Sequence, residues 1–223
     1  MVQQVLAVSP PGGISPDRMI WTATSSGQFS LSSAYSEVRE IKPSSLLFRQ
    51  VWHASVLVKV SFFMLRLLLN CLPLDDVLAA RGFHLLSKCS CCQQSTIESL
   101  QHLFVEGDLA AAVWRFFGLP CGLAMNVEHV RGWMGRWWLR QVKSERLRFV
   151  FRLVPILSFW HLWKARNKAM FHGTVPNPVG VYHAIFRELK DAYWLRFGEF
   201  QRVLEWPTFV ELVECRPDAF IIR

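Results

Sequence analysis

The sequence predicts a mainly α fold: a helical domain with a small N-terminal β-hairpin and a Cys/His knuckle-like loop. Three observations carry this. From residue 48 onward, apolar residues recur at helical spacing in runs bounded by Gly and Pro. Alternation of the kind shown by a half-buried strand is confined to residues 19–31. The chain of 223 residues is 52% hydrophobic and 19% charged, with ten Trp and seventeen Phe, so it can bury a sizeable core.

The elements follow in order. Residues 1–16 are rich in Pro, Gly and Ser and form an extended lead-in. Met19-Ile-Trp-Thr-Ala-Thr alternates, Ser25-Ser-Gly27 supplies turn chemistry and Gln28-Phe-Ser-Leu begins a second run, which together read as the hairpin. Ser32 or Ser33 caps a helix with Ala34–Glu40 as its body. Phe48–Leu69 is almost wholly apolar and forms one or two buried helices, broken by Pro73. Asp75 or Asp76 caps a short helix over Val77–Arg81, which Gly82 stops. Asp108 caps Leu109–Phe117, ended by Gly118 and Pro120. A long helix runs from about Glu145 to Phe171 and closes at His172-Gly173. After the linker Pro176–Pro178, a final helix spans roughly Val179–Arg202, and residues 206–223 form a tail.

Two stretches are apolar enough to suggest a membrane span. Arg66 interrupts Val60–Leu69, and Arg152 and Pro155 interrupt Phe149–Trp163, so neither reaches about 18 uninterrupted apolar residues. Both read as buried core helices, and no membrane partner is expected. Six cysteines, three of them crowded into Cys89–Cys92, suit a reducing intracellular compartment, nucleus or cytoplasm, better than a disulfide scaffold. The net charge of +8, from 25 basic and 17 acidic residues, favours polyanionic partners.

The segment "KCSCCQQSTIESLQHLFVEGD" (88–108) concentrates metal-type ligands. Cys89 and Cys92 stand at C-x-x-C spacing and His102 follows, with no further Cys or His up to Asp108. Two readings stand side by side: a metal centre short of one ligand, or free thiols and an imidazole packed in a reduced core. Glu106 is the best local fourth ligand, because four residues after His102 it shares the same face of an α-helix. Cys91, adjacent to Cys92, points elsewhere.

Catalytic patterns are missing. Asp75-Asp76 is a helix start, and adjacent residues there do not face one magnesium site. The sequence has no Gly-x-Ser-x-Gly elbow, no phosphate-binding Gly-rich loop and no His-Glu-x-x-His. Neither an enzymatic activity nor a small-molecule substrate is expected. Arg136, Arg140, Lys143, Arg146 and Arg148 interleave with Trp137 and Trp138, and Lys164, Arg166 and Lys168 follow Trp160 and Trp163. Basic side chains beside aromatics suit single-stranded RNA or DNA, with Arg140, Lys143, Arg146, Lys164 and Lys168 as candidate contacts. The other reading is a solvated helix face over a Trp-rich core. In the nucleic-acid reading Trp160 and Trp163 face the core, leaving Lys164 and Lys168 outward and available to phosphates.

Four stretches in this order carry a family resemblance. They are "IWTATSSGQFSLSSAY" (20–35), "VWHASVLVKVSFFMLRLLLNCLPLDDVLAARG" (51–82), "CSCC…ESLQHLF…AAAVW" (89–114) and "FWHLWKARNKAMFHG" (159–173). Together they resemble the zinc-binding domain that follows the polymerase in reverse transcriptases of plant non-LTR (LINE-type) retroelements. The resemblance implies zinc as cofactor, a reverse transcriptase domain as partner and an isolated retroelement fragment as the nature of the chain. It divides the chain into a zinc-binding-like domain over 17–120 and a helical Trp-rich extension over 121–205. It also implies a fourth ligand, usually Cys, five residues after the His; Gly107 stands there.

Overall fold

The structure, a computed structural model, describes residues 19–39, 45–83, 86–92, 96–123, 129–142 and 144–198. The chain divides into two compact units, residues 1–43 and 44–223. The described residues are mainly helical, as the apolar spacing predicts, and none of them is in a strand.

In the first unit the hairpin expected over 19–31 is a closed loop. The chain does reverse at Ser25-Ser-Gly27, where Gly27 adopts φ +68°, and the Trp21 N–H donates to the Gly27 carbonyl at 2.9 Å. No ladder follows, because polar side chains satisfy the loop locally: the Thr24 hydroxyl donates to the Gln28 carbonyl at 2.9 Å. Helix α1 (Leu31–Val38) then starts earlier than the sequence suggests, capped by Ser30. Ser30 and Ser33 bond each other's backbone N–H in a reciprocal box, which Ser32 or Ser33 as cap would forfeit.

The second unit comprises α2 (Leu46–Val51), α3 (Val58–Leu68), α4 (Asp75–Ala79), a single π turn (His102–Glu106), α5 (Asp108–Gly118), α6 (Val130–Trp138), α7 (Glu145–His172) and α8 (Pro178–Phe197). Helix α7 is the spine, packing against α3, α5, α6, α8 and the π turn. Ser144 caps its start through the Leu147 N–H, and Gly173 ends it in a left-handed conformation at φ +61°. The two apolar stretches become core helices as expected. Val60, Phe63, Met64, Leu67 and Leu68 bury one face of α3, and every residue of Phe149–Phe159 of α7 except Arg152 is buried. Among the described residues no helix is long and apolar enough to cross a membrane.

The last helix ends at Phe197 rather than near Arg202, because Gly198 turns left-handed at φ +67°. Its start is fixed by Pro178 at the first turn and by Asn177, whose side chain accepts from the Val179 N–H at 3.0 Å. Asp75 and Asp76 lie inside α4 rather than before it, with Leu74 at the cap position. The expected lead-in over 1–16 and the tail over 206–223 lie outside the described residues.

Aromatic residues fill the core. Trp114, Trp133 and Trp137 are fully buried, with Trp114 edge-on to Trp133 at 5.3 Å and to Phe159 of α7 at 5.0 Å. One polar contact crosses this core. Arg166 of α7 meets Glu98, in the segment before the π turn, with two nitrogens: Nε donates to Oε2 at 2.9 Å and Nη2 to Oε1. Glu98 is 1% exposed and Arg166 3%. The guanidinium also lies 5.2 Å from the Trp163 ring and donates to Asn167 Oδ1 at 3.2 Å. Burial pushes the Glu98 carboxyl up, and the guanidinium pulls it back down.

Taking away one member of such a pair strands a buried charge, at a cost of about 3–5 kcal/mol. Glu98→Ala should therefore lower the unfolding free energy by about that amount in urea titrations. The apolar double replacement Glu98→Leu with Arg166→Met should recover most of the loss. A Glu98→Ala protein as stable as wild type would show that the pair contributes nothing.

Candidate metal centre

The thiols and imidazole of the Cys/His segment converge. The Cys89 and Cys92 sulfurs are 3.8 Å apart, and Cys92 Sγ is 3.2 Å from His102 Nε2. All three ligand atoms lie within 4.8 Å of one another. Two sulfurs bound to one tetrahedral zinc at about 2.3 Å sit about 3.8 Å apart, so the donor set and its spacing fit the ion. A simple core of free thiols would not require this convergence.

Local structure explains why they meet. Ser99 Oγ accepts from the His102 N–H at 3.0 Å, fixing the entry to the π turn. The Gly107 N–H donates to the His102 carbonyl at 2.7 Å, the i→i+5 bond that makes the turn π rather than α. The Trp114 indole N–H donates to the Phe104 carbonyl at 2.7 Å, tying the middle of the turn to α5. Glu98, held by Arg166, anchors the segment leading in, and its N–H donates to Ser87 Oγ at 2.9 Å on the Cys89 side.

Without a metal, electrostatics favour the thiolate at Cys89 and oppose it at Cys92. Cys89 is lowered to about 5, chiefly by a hydrogen bond from the Cys91 thiol and against the opposing effect of burial. Cys91 is pushed up as that donor, so it supports Cys89 and lies outside the ligand group. Burial raises Cys92 to about 11, while the backbone N–H of Asp108, at the first turn of α5, hydrogen-bonds its sulfur and works the other way. A dication would replace the thiol protons at both ligand sulfurs.

The fourth position does not fall where α-helical spacing places it. Glu106 is exposed, its Oε1 accepts from Gln101 Nε2 at 3.1 Å, and it stands outside the Cys89, Cys92 and His102 group. The π turn is the reason: the wider register brings the fifth residue, not the fourth, over His102. A Cβ on Gly107 would lie 3.2 Å from His102 Nε2 and 3.3 Å from Cys92 Sγ. Position 107 therefore aims into the site, and glycine places no ligand atom there. The same Cβ would come within 2.8 Å of the His102 carbonyl oxygen, so a side chain there requires a small backbone shift. Asp108 opens α5 at its first helical position, with Gly107 rather than Asp108 as the cap.

The candidate nucleic-acid residues scatter. Arg140 Nη1 donates to the Cys121 carbonyl at 2.6 Å, and its guanidinium lies 5.9 Å from the Phe151 ring. Arg146 is exposed beside Phe197, Lys168 is exposed on α7, and Lys143 lies outside the described residues. Lys164, expected to be outward and available, is instead bound at 3.0 Å to Glu188, which also meets the buried His161 at 3.1 Å. Trp137 is in the core, and Trp138 donates its indole N–H to the Arg152 carbonyl. Trp160 and Trp163 pack on Phe63 at 5.3 and 6.0 Å, as their stripe predicts.

Sequence reasoning missed the roles of Glu98, Arg166 and Trp114. Each stands inside a quoted motif, and a buried carboxylate in need of a cation was the available signal. Residues 29–114 match a family model described as zinc-binding in reverse transcriptase. That span holds all three ligand residues and ends at the indole that ties down the π turn. No curated protein and no solved structure matches the chain.

Zinc measured by mass spectrometry on purified protein should approach one equivalent in wild type and in Glu106→Gln, and fall to background in Cys92→Ser. Gly107→Cys should bind zinc more tightly than wild type in chelator competition by completing a four-ligand set. Zinc retained in Cys92→Ser, or lost in Glu106→Gln, would contradict this assignment of ligands.

Proposed function

We propose that the chain is a non-catalytic, nucleic-acid-associated zinc module of the kind carried by reverse transcriptases of plant non-LTR retroelements. One observation carries this reading: three metal-type ligands converge inside the segment that matches the zinc-binding family of reverse transcriptase. Zinc, when bound by Cys89, Cys92 and His102, would supply a crosslink between the C-x-x-C loop and the π turn. The residues of the chain do the rest. Ser99 and Trp114 hold the His102 turn, and Glu98 with Arg166 presses that turn onto α7.

A non-catalytic role is supported by what the buried and half-buried carboxylates do. Three of them are committed, Glu98 to Arg166, Glu188 to His161 and Lys164, and Asp76 to the backbone N–H groups of Val77 and Leu100, while the buried Asp75 stands inside α4. Association with a strand is supported by the formal charge of +8 and by exposed cations such as Arg146 and Lys168 on α7. Phosphate contacts of this kind position a strand without reading its sequence.

A second reading, docking onto a polymerase domain, is favoured by one specific surface. Trp52, Leu57, Val58, Phe62 and Leu69, on and around α3, are each about half exposed or more, and Trp52 meets Phe62 edge-on at 5.3 Å.

Fluorescence anisotropy with single-stranded RNA separates the two. The zinc-loaded protein should bind weakly and without sequence preference, and its affinity should fall as salt rises. Arg146→Glu with Lys168→Glu should weaken every sequence alike and flatten the logarithmic salt slope by about 0.7 per lost phosphate contact. Absence of salt-sensitive binding at low ionic strength would replace this reading with the docking one.

A further inference from the structure

Apart from the candidate metal centre, a cleft between α7, α8 and the α2–α3 turn gathers like charge. His53, in the turn between α2 and α3, Glu145, Arg148 and Arg152 of α7 and Arg196 of α8 line a cavity of about 270 Å³, with Phe149 as its apolar wall. Three guanidinium groups thus share one small space with a single carboxylate. Arg148 and Arg152 are one turn apart on α7, while His53 and Arg196 are distant in sequence and reach them only because the α2–α3 turn and α8 pack against α7.

The charges act on each other. Arg152 is half-buried, and burial followed by the nearby Arg148 charge lowers it below the ordinary guanidinium value. Burial, then the Arg152 charge, then that of Arg196 lower His53 from its ordinary value. The carboxylate is already directed: Glu145 Oε1 accepts from Arg196 Nη2 at 2.7 Å, which holds Arg196 at the rim. Arg152 uses only its Nε within the described protein, donating to Gln50 Oε1 at 2.7 Å. Its two terminal nitrogens, a planar fork suited to two oxygens of one anion, have no partner among the described residues.

We propose that this cleft is a binding site for a phosphate group, held by the Arg152 fork with Arg148 and Arg196 at either side. The cavity is several times the roughly 30 Å³ that one water occupies, enough for a phosphate and some of its waters. Low-dielectric walls concentrate the field of the three cations within it, and an anion relieves their mutual repulsion. The site uses none of the metal ligands and none of the cations offered above for strand contact, so it stands independently of the proposed function. A phosphate group can arrive on a nucleic-acid backbone or as free phosphate or nucleotide, and the recognition chemistry is the same.

Isothermal titration of the full chain with inorganic phosphate at low ionic strength tests the site. Wild type should bind saturably at one site. Arg152→Gln and Arg196→Gln should each weaken binding about tenfold, equivalent to about 1.4 kcal/mol. Glu145→Gln, which removes the competing carboxylate among the described lining residues, should tighten it severalfold, and Lys168→Gln should leave it unchanged. Because Arg152 also holds Gln50, a misfolded Arg152→Gln protein passes the decision to Arg196→Gln and Glu145→Gln, both at exposed positions. No saturable binding, or equal affinity in all variants, would overturn the proposal. Competition by a short oligoribonucleotide then identifies the source. A strand that displaces phosphate, and is itself weakened by Arg152→Gln, places a backbone phosphate in the cleft. Phosphate that binds but is not displaced assigns the cleft to a free phosphate or nucleotide, whatever the RNA measurement gives.

Discussion

A carboxylate that is 1% exposed is tolerable at Glu98 only because Arg166, 68 residues further along, meets it with two nitrogens. The metal centre depends on that contact. Glu98 lies between the C-x-x-C loop and the π turn, so fixing it to α7 fixes the distance between the Cys and His ligands. The region that matches the zinc-binding family ends at Trp114, yet Arg166, Phe159 and Trp163 all lie beyond it. In physical terms the folded unit is larger than the matched segment, because the segment's own buried charge is answered from outside.

The π turn is the second constraint, and it accounts for the incomplete ligand set. Widening one turn so that the Gly107 N–H reaches the His102 carbonyl rotates position 107 toward His102 Nε2 and Cys92 Sγ. Turns of this kind recur at functional sites, and here the turn is held by a fully buried indole, Trp114. The scaffold of a four-ligand site thus persists around a glycine. Cys89, Cys92 and His102 would hold a zinc ion with three protein ligands, one fewer than a closed structural site has.

Much of this was legible in the sequence, for physical reasons that differ by element. Helix α7 is readable from about Glu145 to Phe171 because a long apolar helical pattern and the stop at His172-Gly173 agree, whereas the Ser144 cap emerges only in the structure. Cys89, Cys92 and His102 were readable because C-x-x-C chemistry is local. The resemblance implies a ligand at position 107, where glycine has none to offer, and Glu106 is the substitute only in an α register, which the π turn replaces. The hairpin reading saw the turn at Gly27 correctly, but Thr24 and Ser26 satisfy the loop's backbone before a ladder can form. Lys164 looked free because its partner, Glu188, is on another helix. The same limit hid the cleft of His53, Arg148, Arg152 and Arg196, since no pattern within one segment records which helices will face each other.

X-ray absorption at the zinc edge tests the central claim most directly, because it reads the ligands themselves. A centre built by Cys89, Cys92 and His102 should show two sulfurs at about 2.3 Å and one nitrogen near 2.0 Å, with a light oxygen-type scatterer completing four. A shell of oxygen and nitrogen alone, or three sulfurs with Cys91 recruited, would contradict the geometry described.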